Sequence, residues 1–234
     1  MTVMLVLVTF LIFATVDYYL NRGKSPRRLV DKTHTAVPKI AAEPITVAAF
    51  EPGVDWVDGF AIPERMRYHA GHAWCVPERK NVHRIGADDL AAKLAGAIDG
   101  VELPQAGKWL RQGQKAWSFL RGGEKVEMAS PVEGEILQIN EDVLKDPSLL
   151  RKDPYGRGWL MTVNVPDEES TFRNLLPKHM LPAWMRQSVE RLWELQPTLA
   201  GATAADGGRP AEDLTRNLSA SAWRELGREM FLTR

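Results

Sequence analysis

Three histidines, His69, His72 and His83, and one thiol, Cys75, are the side chains in the middle of this chain whose types invite a chemical reading. Imidazoles three positions apart could open a zinc site, but no cysteine or acidic residue completes a ligand set. They therefore read as strand-surface histidines, and no metal is expected. His179 stands alone beside Pro177 and Pro182. A single cysteine cannot close an internal disulfide, so Cys75 reads as a small buried hydrophobe. No glycine-rich phosphate loop, nucleophile elbow or paired-carboxylate arrangement appears, and Gly122-Gly123 is too short to cradle a phosphate. No catalytic residue is nominated and the chain does not read as an enzyme. Thirty basic residues balance thirty acidic ones, which removes the electrostatic case for nucleic acid as a partner.

The elements that carry these residues centre on one hairpin, from Gly113 to Gly134. Ala116-Trp117-Ser118-Phe119-Leu120 alternates large with small side chains, and Val126-Glu127-Met128-Ala129 alternates apolar with charged or small ones. Arg121-Gly122-Gly123-Glu124 lies between them. Two adjacent glycines supply the positive backbone angles of a tight reversal, so the chain must turn there.

Around this hairpin the pattern is of short strands separated by turn residues. Strands are expected at Met66–Tyr68, His72–Val76, Val82–Ile85, Val101–Pro104, Gly134–Asn140 and Trp159–Val165. A short helix is expected at Ala87–Leu94, and a helical turn opened by Asp146-Pro147. The expected fold class is therefore mainly β, a small barrel or sandwich. It is followed from residue 167 to 234 by a helical extension: an amphipathic helix over Leu181–Leu195 stopped by Pro197, a flexible linker near 197–211, and a last helix about Ser219 to Leu232. That last helix sets Trp223, Leu226, Met230 and Phe231 on one face. They either pack back on the β domain or dock another subunit, and so are partner-binding candidates.

The amino-terminal end reads differently. Met1 to Val16 carries no charge, and the apolar run extends to about position 20, which at ~1.5 Å per residue spans ~30 Å, the thickness of a hydrocarbon core. Residues 1–21 are therefore expected to form a single-pass transmembrane helix, not a cleaved leader. Arg22, Lys24, Arg27, Arg28 and Lys32 follow at once, placing the amino terminus outside and the rest of the chain on the cytoplasmic side of a cell (inner) membrane. Residues 22–62, with Pro26, Pro38, Pro44 and Pro52, read as a proline-containing tether with one strand at most.

Residues Arg67 to Pro166 resemble the H protein of the glycine cleavage system, a relative of lipoyl domains. The resemblance rests on Tyr68-His69-x-x-His72-x-Trp74, Arg84-Ile85-Gly86-Ala87-Asp88, Val101-Glu102-Leu103-Pro104-x-x-Gly107, Pro131-Val132-x-Gly134-Glu135-Ile136 and Asn140-Glu141. Its most specific piece is Asp146-Pro147-x-Leu149-Leu150-x-x-Asp153-Pro154-Tyr155-Gly156-x-Gly158-Trp159-Leu160. The resemblance implies a barrel-sandwich hybrid over residues 63–166, with the hairpin protruding at one end. It also implies that the tip should bear a lysine joined to lipoate, ten residues after a glycine matching Gly113 and eight before a proline matching Pro131. Both counts end on Gly123. Lys125 is the fallback position and needs a slipped hairpin, which would shift the whole strand pairing. Two expectations follow. The first is a membrane-anchored scaffold or accessory subunit without cofactor, bound to other protein subunits. The second is a lipoate carrier of glycine cleavage, or of a related relay, modified at Lys125.

Overall fold

The structure, a computed structural model, describes residues 53–202 and 210–233. The expected membrane helix at 1–21 lies outside them. No helix among the described residues is long and apolar enough to cross a membrane.

Eleven strands and six α-helices make up the described fold. A first hairpin pairs β1 (Val54–Val57) with β2 (Phe60–Pro63). Strands β3 (Arg67–His69), β4 (Ala73–Arg79), β5 (Val82–Ala87), β7 (Trp109–Leu110), β10 (Gly134–Ile139) and β11 (Met161–Asn164) form a six-stranded sheet in the order β3-β4-β5-β11-β10-β7. Strands β6 (Gly100–Glu102), β8 (Lys115–Arg121) and β9 (Glu124–Ala129) form a second sheet in the order β6-β8-β9. The helices are α1 (Asp89–Ala95), α2 (Glu141–Lys145), α3 (Ser148–Lys152), α4 (Glu168–Arg173), α5 (Leu181–Leu195) and α6 (Ala220–Met230). The fold is mainly β with carboxyl-terminal helices.

Local sequence accounts for most boundaries. Asp88 caps α1 by accepting from the Ala91 amide, Asn140 caps α2 through Asp142, and Ser219 caps α6 through Ala222. Pro182 sits in the first turn of α5, where no amide hydrogen is needed. Gly86 exists to admit Trp74: a β-carbon there would lie 2.7 Å from the indole. That indole donates to the Ala87 carbonyl at 2.8 Å, which lets a large ring be wholly buried.

The tether expected over 22–62 ends earlier than its prolines suggest, because the β1–β2 hairpin belongs to the β domain. Phe60 and Ile62 are buried, Tyr155 donates its hydroxyl to the Ala61 carbonyl at 2.6 Å, and Asp89 accepts from the Ala61 amide at 3.0 Å. Four-residue strands carry too few side chains to display a period, so composition alone left this hairpin unread.

The carboxyl-terminal extension is part of the same core. Along α5, Leu181, Met185, Val189 and Leu192 are buried at helical spacing. Trp223, Leu226, Met230 and Phe231 are between 1 and 5 % exposed, with the Phe231 ring edge-on to Phe119 at 6.4 Å. These four residues are thus the domain's own core and not a free docking face, which corrects their standing as partner-binding candidates.

Candidate functional site: a buttressed hairpin tip

Strands β8 and β9 pair in the register Phe119↔Val126, Leu120↔Lys125 and Arg121↔Glu124, leaving Gly122-Gly123 as a two-residue loop. Both glycines have positive φ, 56° and 79°, as the tight turn matching strand twist requires. The tip therefore lies where the sequence places it.

Everything around the tip is tied down. Asp99 accepts from the Gly122 amide at 2.6 Å. The Arg121 guanidinium donates to the Thr215 hydroxyl at 2.6 Å and the Thr215 carbonyl at 3.0 Å, and lies 5.8 Å from the Trp223 ring. Arg224 of α6 pairs with Glu124 at 2.8 Å, and the Thr233 hydroxyl donates to the Glu127 carbonyl at 3.1 Å. Helix α6 lies so close to β9 that a β-carbon at Gly227 would sit 2.5 Å from a methyl of Val126. A β-carbon on Gly122 would meet Ala220 at 3.3 Å, whereas one on Gly123 would meet nothing within 4 Å. Position 123 is the open end of an otherwise braced turn.

Lys125 is one strand residue removed from the turn. It stands opposite Leu120, and its ammonium pairs with Glu102 of β6 across the sheet at 2.5 Å. Sequence reasoning did not single out Asp99, Thr215 or Arg224. Their partners lie 23 to 100 residues away, a distance at which spacing carries no signal.

Two of the three histidines expected on the strand surface, His72 and His83, lie inside, and His69 is half-buried. His72 and His83 are each 1 % exposed. His72 donates through Nδ1 to Asp88 at 2.8 Å and stacks on Trp184 at 4.7 Å; His83 meets Glu168 of α4 through Nε2 at 2.7 Å. Alternation hid this because the helices that cover them come from the extension. His69 accepts from the Gly71 amide through Nδ1, and burial, then the nearby His72, push its imidazole below the usual range. No group of three or more His, Cys, Asp or Glu side chains among the described residues is placed to hold a metal ion. Cys75 is buried, and burial pushes its thiol up to about 12.

The described fold is thus a mainly β domain with a two-residue β8–β9 turn whose position 123 is open to its surroundings. The family profile of the glycine cleavage H-protein matches residues 66–187, and the chain belongs to that family. The glycine cleavage system H protein of Streptomyces coelicolor is 34 % identical over 106 residues, 45 % of this chain and 85 % of that one. That of Prochlorococcus marinus is 39 % identical over 108 residues, 46 % of this chain and 83 % of that one. Among solved structures, the crystal structure of a glycine cleavage system H protein from Mycobacterium marinum matches at 27 % identity, with a TM-score of 0.42, over 45 % of this chain and 87 % of that one.

Proposed function

We propose that this chain is a non-catalytic, membrane-anchored member of the H-protein family that serves as a scaffold or accessory subunit of a membrane-associated complex, its barrel-sandwich hybrid domain carrying no lipoate. The observation behind this reading is the residue at the tip. Both flanking counts assign the attachment position to Gly123, and a glycine has no amine to acylate. Bringing Lys125 to the place of Gly123 instead would move the turn two residues along the chain, so that the pair closing it changes from 121↔124 to 123↔126 and the register of β9 against β8 shifts by four. That slip would undo the Arg121↔Glu124 pair, draw Glu124 away from Arg224, and move Val126 out from under Gly227. The braces around the turn all favour one register.

The anchor is assigned to residues 1–20, with the amino terminus outside, the basic cluster from Arg22 to Lys32 at the cytoplasmic face, and the β domain in the cytoplasm. An anchored domain surveys less volume than a freely diffusing carrier, which suits a fixed subunit better than a shuttle.

Intact-mass measurement on the protein from its native membrane tests the reading. An unmodified chain is expected. A lipoyl or octanoyl adduct mapped to Lys125 would overturn it in favour of a carrier with a slipped hairpin. Its protein partners are those that co-purify after gentle solubilisation.

A further inference from the structure

Helix α6 ends on a residue that folding alone would not choose. Past Met230 the chain turns through Phe231 and Leu232, and Leu232 takes a left-handed backbone, φ 56°, at the position where helix ends favour glycine. The Thr233 amide closes the turn by donating to the Arg228 carbonyl at 3.2 Å. A leucine held there is strained, because its β-carbon crowds the following carbonyl oxygen. Burial does not offset the strain: at 60 % exposed, Leu232 is the most open of the large apolar side chains among the described residues. The side chain strains a single copy of the fold without being sheltered by it, so its use lies outside that copy.

Leu232 also lines a groove of about 700 Å³ between α5, the end of α6 and the turn from β3 to β4. Trp184 and Met230 give the groove an apolar part, and Glu190, Arg191 and Glu194 of α5 give it charges of both signs. A protruding leucine and a groove to receive one therefore share a single patch, and so do the cation and the carboxylates. We propose that this face binds a second copy of the chain about a two-fold axis, each Leu232 entering the groove of the other copy. A two-fold interface needs one patch to carry both halves of every contact, whereas an unrelated partner needs only one half. An axis crossing α5 between Glu190 and Arg191 runs the two helices antiparallel. It sets each Glu190 against the other copy's Arg191, and each Gln187 against the other copy's Glu194. Within its own chain Arg191 lies 3.2 Å from Glu194 and 3.8 Å from Glu229, in exposed pairs weak enough to exchange. None of the hairpin-tip residues lines the groove, so the proposal is independent of what the tip carries.

Sedimentation equilibrium of the full-length chain in density-matched detergent micelles tests this, with urea denaturation of each variant alongside. A reversible equilibrium between monomer and dimer is expected. Leu232→Gly removes the protruding side chain and the backbone strain together, so folding is not at stake. Its urea midpoint should be no lower than that of the parent, while its dimer dissociation constant should rise at least about tenfold. Arg191→Glu places like charges opposite each other and should also raise the constant about tenfold; combining it with Glu190→Arg restores opposite charges and should bring it back to within about threefold of the parent. Monomers at every concentration would overturn the proposal and leave the groove to a different protein. A dimer that none of these variants weakens would overturn it by placing the contact on another surface. A lowered urea midpoint for Leu232→Gly would show that the leucine serves the monomer, and would overturn its role in the interface.

Discussion

Gly123 can be replaced where Gly122 resists. A β-carbon at 123 meets no neighbour within 4 Å, so the main cost of a lysine there is the positive φ of 79°, about 1 kcal/mol. Gly122→Ala carries similar strain and in addition presses on Ala220 at 3.3 Å. Urea denaturation should show Gly123→Lys folded and only mildly destabilised, and Gly122→Ala at least as damaging; the reverse order would mean the turn is built differently. A second residue-scale expectation concerns alkaline pH. Burial raises Cys75 to about 12, burial and then Asp88 raise Tyr68, and burial and then Tyr68 raise Tyr155. Each group is protonated in the fold when the unfolded chain has already lost its proton. Their contribution is therefore full below about pH 8.5 and falls as pH rises, by up to ~1.4 kcal/mol per unit per group. Stability followed by circular dichroism from pH 8 to 11 should decline. Cys75→Ala should flatten the decline first near pH 9, before the tyrosines of the unfolded chain titrate.

Between helix and hairpin, Gly227 decides how closely α6 can lie on β9. Gly→Ala inside a helix ordinarily stabilises by about 1 kcal/mol, but here the new methyl would lie 2.5 Å from Val126. Overpacking costs of about 1–3 kcal/mol outweigh the propensity gain, so Gly227→Ala should destabilise. Adding Val126→Ala should restore part of the loss, and strictly additive effects in the double-mutant cycle would contradict this packing. Elements of this length were also the most legible. Helix α5 was expected at Leu181–Leu195 and is found there, because proline marks its start and four apolar residues keep its period. The β8–β9 turn was equally plain from its two glycines. Helix α4 was not seen, since Glu168-Glu169-Ser170 offers no apolar stripe and the helix is held by Glu168 on His83 and by Arg67, 4.3 Å from the Phe172 ring. Helix α2, five residues long, is too short to show a period: Asn140, the last residue of the expected strand, serves as its cap.

At the scale of the whole molecule, the described fold lies within one compact unit. What the sequence could not convey here is closure. The ties from Asp213 to the Ala97 amide and from Trp223 to the Leu94 carbonyl join positions 116 and 129 residues apart, and no local pattern announces such pairs. The topology proposal belongs to this scale too. A reporter fused after Arg234 that is active only in the cytoplasm should be active, and one active only outside should be silent; the opposite result would reverse the orientation of the anchor.

The braces on the hairpin also set an order in time. Glu124 waits for an arginine made 100 residues later, and Glu127 for a threonine 106 residues later. At a synthesis rate of about 5–20 residues per second, the turn therefore emerges some 5–20 s before α6 exists to cover β9. During that interval the nascent hairpin is held by its own strand pairing, by β6 and by Asp99 on the Gly122 amide, without α6. Until α6 is made, the side of β9 that it later covers stands open.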